Sequence, residues 1–120
     1  MIRRIEGLPE GVLGFQAQGR VSASDYATVL TPAVEVAFKQ RDKLRLLYQI
    51  GPEFTGFDAG AAWDDMRVGL KHYLSWEKLA LVSDVEWIRS SAALFGALMP
   101  AQVRIFANGE LEAAKRWVSE

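Results

Sequence analysis

The stretch from Trp63 to Trp87, WDDMRVGLKHYLSWEKLALVSDVEW, constrains the fold more than any other part of this chain. Trp63, Met66, Leu70 and Tyr73 recur at i, i+3, i+7 and i+10, one face of an amphipathic helix. Asp64, Arg67 and Lys71 fall on another face, suited to water. A tight connection then leads into Leu79–Ser83, an apolar strand candidate, and Asp84 stands where a following helix needs a cap. Helix, strand and helix start in that order make half of an α/β unit. Its strand ends on Ser83-Asp84, the place where open α/β sheets put their ligands.

The remainder of the chain extends the same alternation. Ile2–Glu6 and Val12–Arg20 read as two antiparallel strands across a turn built on Gly7 and Pro9-Glu10-Gly11. Ser22 with Asp25 forms a helix start, and Tyr26, Val29, Leu30, Ala33, Ala37 and Phe38 follow at helical spacing. Pro32 interrupts that pattern and predicts a kink near Thr31. Leu44–Ile50, LRLLYQI, has the nearly continuous apolar character of a central strand. Gly51–Gly60, GPEFTGFDAG, reads as the longest irregular connection, and Asp58 as the cap of the helix carrying Trp63. Asp84 caps a helix with Ile88, Ala92 and Phe95 inward, closed by Met99-Pro100. Val103–Ala107 is the last strand, and Asn108 caps a final helix with Leu111, Ala114 and Val118 as its stripe. The expected fold is therefore α/β, a five-stranded mixed, mostly parallel sheet with four helices, forming one domain over residues 1–120.

Charge and composition narrow the function classes. Charged residues make up 24% of the chain and the net charge is −1 with both signs scattered, which argues against a nucleic-acid partner. There is no cysteine, so disulfides, thiolate metal sites and cysteine nucleophiles are excluded. No signal pattern and no apolar run of membrane-spanning length is present, so the expected location is cytoplasmic. GFDAGA is not a phosphate-binding GxGxxG, and neither GxxxxGK nor GxSxG occurs.

Few residues suggest chemistry. His72 is the only histidine, and Asp65 lies seven residues before it on nearly the same side of the helix. Such a pair could be a general base or part of a metal site, but a lone histidine near a helix C-terminus is also what the macrodipole favours. Asp64 and Asp65 point about 100° apart and do not converge. Neither a catalytic centre, a metal site nor a cofactor is expected. The Gly51–Gly60 segment is the better functional element. It sets Phe54 and Phe57 between glycines, as a lid or apolar contact surface does; alternatively, both rings plug the core. Asp84 is a cap or a ligand-facing carboxylate, and Trp87, one turn on, a core anchor or a crevice wall.

These residues resemble the SpoIIAA-like family, small bacterial proteins grouped with the STAS and anti-sigma-factor-antagonist fold and similar to the lipid-binding lobe of CRAL-TRIO proteins. The resemblance rests on AxWDDMRxGLKH from Ala61 to His72, EKLALVSDxxW from Glu77 to Trp87, and the closing VRIF with AxxW at Ala114 to Trp117. STAS antagonists are phosphorylated on a serine of a D-S-S/T-G motif after the third strand, at the start of the next helix. The matching stretch here is Glu53-Phe54-Thr55-Gly56, with Thr55 as its only hydroxyl and the Asp-Ser missing. The CRAL-TRIO similarity implies an apolar pocket between the sheet and a movable helix or loop.

The expected protein is a non-catalytic binding module. Phe54, Phe57, Trp63, Asp84 and Trp87 would surround a small apolar or lipid-like ligand, with transient peripheral contact with a membrane. The alternative is a STAS-type regulator that binds a protein partner around Thr55 and the Asp58–Tyr73 helix. A homodimer is compatible with the apolar content, though no feature compels it.

Overall fold

The structure is a computed structural model and describes residues 1–60 and 74–120. Five strands form one sheet in sequential order: β1 (Ile2–Arg4), β2 (Val12–Val21), β3 (Leu44–Phe57), β4 (Trp76–Ser83) and β5 (Gln102–Phe106). β1 is antiparallel to β2, and every later pair is parallel, as the alternation of elements predicts.

Sequential order has a geometric consequence. Right-handed crossovers between successive neighbours carry every connecting helix to the same face of the sheet. Two such helices are described. The first, α1, is one helical rod in three consecutive pieces: an α turn Ala23–Asp25, a π turn Tyr26–Leu30 and α-helix Thr31–Gln40. The second, α2, is Glu86–Ala97. Tyr26, Leu30 and Val34 from α1 and Ile88 from α2 join Leu13, Phe15, Ala17, Tyr48 and Ile50 in one core cluster. The last helix, α3 (Leu111–Ser119), returns to no strand and lies on the opposite face. There Ala114 and Val118 pack on Val12, Leu47, Ala80, Val82 and Phe106. The fourth expected helix, Asp58–Tyr73, lies outside the described residues from residue 61 onward.

Local chemistry explains the helix starts. Ser22 accepts from the Asp25 amide at 3.2 Å while the Asp25 carboxylate accepts from the Ser22 amide at 2.8 Å, the reciprocal pair expected from the sequence. Pro32 widens the rod rather than breaking it. Its ring has no N–H to return to the preceding turn, and the helix absorbs the mismatch as a π turn, with Thr31 N–H reaching back to the Tyr26 carbonyl. The two later caps differ from expectation. Val85, not Asp84, is the cap residue of α2, and Ser83 Oγ accepts the Val85 amide at 3.0 Å. Asn108 sits inside a 3₁₀ turn, Asn108–Glu110, whose entry is tied by Ala107 N–H donating to the Glu110 carboxylate.

The largest departure from the sequence reading is Gly51–Gly60. It is not an irregular loop: β3 continues to Phe57 and stays paired with β2. From Ala17 to Val21, β2 takes four steps, while β3 takes seven from Ile50 to Phe57, so β3 bulges outward. Pro52 lies in the bulge, where its missing N–H costs no ladder bond, and Gly56 takes φ +150°, a conformation denied to other residues. Glycine and proline signal a loop and a bulged strand alike. That ambiguity is why the composition misleads here.

A candidate ligand cavity between the sheet and α2

On β3, Leu46, Tyr48 and Ile50 point toward the face carrying α1 and α2, while Leu47 and Gln49 point toward α3, as period-two alternation requires. β4 repeats the pattern, with Leu79 and Leu81 on the first face and Ala80 and Val82 on the second. Leu47 and Val82 are 0% exposed under α3, whereas Leu46, Leu79 and Leu81 remain only half-buried. Parallel central strands normally bury both faces. The half-burial marks a hollow.

That hollow is a cavity of about 400 Å³, bounded by Leu46, Tyr48, Leu79 and Leu81 from the sheet and by Ile88 and Phe95 from α2. Its size lies within the ~300–1,000 Å³ of small-molecule sites. α2 is held tightly at one end, where a Cβ on Gly96 would meet Val103 Cβ at 2.9 Å. Leu30 from the π turn closes one side, and Phe57 and Trp87 stand together at the carboxyl end of the sheet with ring centroids 6.3 Å apart. At the amino end, Trp76 is buried and packs edge-on against Phe38 at 5.1 Å. Its indole N–H is, among the described residues, a buried side-chain donor without a hydrogen-bond partner.

Polar groups are scarce in this lining. The Tyr48 hydroxyl is hydrogen-bonded to that of Tyr26 at 2.8 Å, and Ser91 adds another hydroxyl on α2. Among the described residues no Asp, Glu, Lys, Arg or His lines the cavity. Such a site can sort ligands by shape and apolarity.

The residues singled out from the sequence distribute unevenly. Phe57 and Trp87 line the cavity. Phe54 packs behind Phe57, with centroids 4.9 Å apart, and contributes to the core rather than to the lining. Neither ring sits on a hinged flap, because both belong to β3. Trp63, like Asp64, Asp65 and His72, lies outside the described residues. Asp84 turns toward the β5–α3 connection, where its carboxylate accepts from the Asn108 backbone at 3.0 Å and side chain at 3.3 Å. The switch-point argument for Asp84 loses its force in a sequentially ordered sheet, for the crevice there is filled by Asn108. Thr55 is exposed within β3, and no helix begins at it.

The sequence reading missed both the wall residues and a polar device on the opposite face. Leu46, Leu79, Leu81 and Phe95 looked like ordinary core. Gln18 donates to Gln16 at 3.1 Å, Gln16 to Gln49 at 3.0 Å, and Gln49 to Asn108 at 3.2 Å, forming a ladder of amides across the sheet. Its signal was present: Gln49 is the one uncharged polar side chain besides Tyr48 in LRLLYQI, and it is only 5% exposed.

Among the described residues no cluster of three or more Asp, Glu or His side chains could hold a metal ion. None of the described helices is long and apolar enough to cross a membrane. Asp25 has its carboxyl held below the usual range, chiefly because the Ser22 amide donates to the ionised form. It lies at the cap of α1 and does not line the cavity.

The sequence profile of the SpoIIAA-like family matches residues 12–119. The chain belongs to the SpoIIAA-like family. A solved structure agrees: an uncharacterized protein of the DUF3478 family with a SpoIIAA-like fold, from Shewanella loihica PV-4, superposes with a TM-score of 0.75 at 25% identity. The alignment covers 98% of this chain and 92% of that one. No curated protein shows significant sequence similarity. SpoIIAA-like, STAS-like architecture supports a regulatory or interaction module.

Proposed function

We propose that this SpoIIAA-like protein is a non-catalytic module that binds a small apolar or lipid-like ligand between its sheet and α2. The observation that carries the reading is the cavity itself, an apolar hollow retained under a helix in a fold this small. Central strands that could have been sealed are left half-buried along Leu46, Leu79 and Leu81. Exposed apolar side chains surround the same region, with Trp87 59% and Leu98 69% exposed. Large exposed apolar side chains are suited to contact with a membrane or a partner. Transient attachment through Trp87, with Phe57 beside it, would let the ligand pass between a bilayer and the cavity.

Native mass spectrometry of the purified protein is expected to reveal a co-purifying apolar molecule. Liposome co-sedimentation tests the attachment. Trp87→Asp, at an exposed position, and Phe57→Asp at the rim should each reduce the bound fraction several-fold. Unchanged sedimentation of both variants would remove the membrane from the proposal. A second reading, regulation through a protein partner, is favoured by the exposed Leu94 on α2, by the exposed Leu98 just after it and by the exposed Thr55.

A further inference from the structure

The walls of the cavity speak to the charge of its ligand, an inference that rests on the apolar-ligand reading above. Every described lining residue is uncharged, and the polar side-chain groups among them are the hydroxyls of Tyr48 and Ser91 and the indole N–H groups of Trp76 and Trp87. Two cations flank the rim residues Phe57 and Trp87: Arg89, two residues beyond Trp87, and Arg20, opposite Gly56 on the neighbouring strand, and both have partners elsewhere. Arg89, next to Ile88 on α2, donates to the Ser83 carbonyl at 2.8 Å. Arg20 is paired with Asp58. A carboxylate or ammonium drawn inside would therefore lose its water without gaining an opposite charge from these walls, the costliest of all burials. A neutral hydroxyl or ester loses far less, and hydroxyl groups on the wall can answer it.

We infer that the cavity selects neutral chain-like molecules, such as long-chain alcohols, esters or isoprenoids, and discriminates against free fatty acids and alkyl ammonium ions of the same length. The span from Leu46 to Ile50 is four residue steps along β3, roughly 13 Å at about 3.3 Å per residue. A ten-carbon chain is a suitable probe for that length.

The test is isothermal titration of the full chain at pH 8 with 1-decanol, methyl decanoate, decanoate and decylammonium. The alcohol and the ester should bind at least tenfold more tightly than either ion. Decanoate binding within twofold of the ester, or tighter, overturns the charge selection while leaving an apolar site in place. Failure of all four to bind overturns the ligand reading itself. Two variants locate the effect. Leu81→Trp, which fills the hollow with an apolar ring, should abolish ester binding with the circular dichroism spectrum retained; undiminished binding would place the ligand elsewhere. Ser91→Lys, which replaces a wall hydroxyl with a cation at an exposed position, should raise the ratio of decanoate to ester affinity about tenfold. An unaltered ratio of the two affinities would overturn the electrostatic argument.

Discussion

The two faces of this sheet are finished in different ways. The α3 face is sealed: Leu47, Val82, Ala114 and Val118 are 0% exposed, and Trp117 packs on Phe106 with the Arg104 guanidinium 5.6 Å from its ring. Its polar groups are spent on one another, through the ladder from Gln18 to Asn108. The α2 face is built from equally apolar residues but leaves about 400 Å³ unfilled. Apolar content alone thus does not decide whether a face closes. One side is closed by a fitted helix, and the other keeps a hollow.

Adjacent residues on β3 give the sharpest way to break this comparison. Leu47→Ala should destabilise by about 2–5 kcal/mol, because the surrounding core cannot collapse onto the lost atoms. Leu46→Ala, one position away, should cost about 1 kcal/mol or less, since its side chain already borders empty space. Urea denaturation of the pair measures the contrast, and equal losses would mean that the α2 face is packed as tightly as the other.

Gln49→Leu should be next in size, at about 1–3 kcal/mol, because it strands the Gln16 amide and the Asn108 carbonyl oxygen away from their partner. If the ladder is peripheral, the leucine will be neutral or stabilising. Tyr48 and the cavity face lie on the far side of β3, so the binding of methyl decanoate should survive this change.

The smallest effect separates the faces by acid sensitivity. The amides of the ladder do not titrate, whereas the start of α1 depends on Asp25. The folded-state value of Asp25 lies below its ordinary 3.8, so its stabilisation is complete above that value and disappears as the pH falls through the lower one. Amide hydrogen exchange should show α1 loosening before α3 as the pH drops below about 3.8. Asp25→Asn should remove the difference, and simultaneous loss of both helices would show that the faces unfold as one unit.

Much of this architecture was legible from local patterns. The strand-helix alternation, the antiparallel opening pair, the Ser22–Asp25 cap and the α3 stripe depend on neighbours in sequence, and each was read correctly. Gly51–Gly60 was not, because glycine and proline are equally at home in a loop and in a bulge, and only pairing with β2 distinguishes them. Asp84 failed for a related reason. An aspartate before a helix has a ready local role, but Asn108, far along the chain, offers a better-placed donor.

By itself, then, the sequence determined which residues are apolar, in what period they recur, and hence the number and kind of strands. Only the tertiary structure decided which of those residues would meet. Alternation tells Leu46 from Leu47 but not which of them lies under a close-fitting helix, since that depends on where α2 and α3 come to rest. Packing is a property of pairs of surfaces, and a hollow exists only where two surfaces fail to touch.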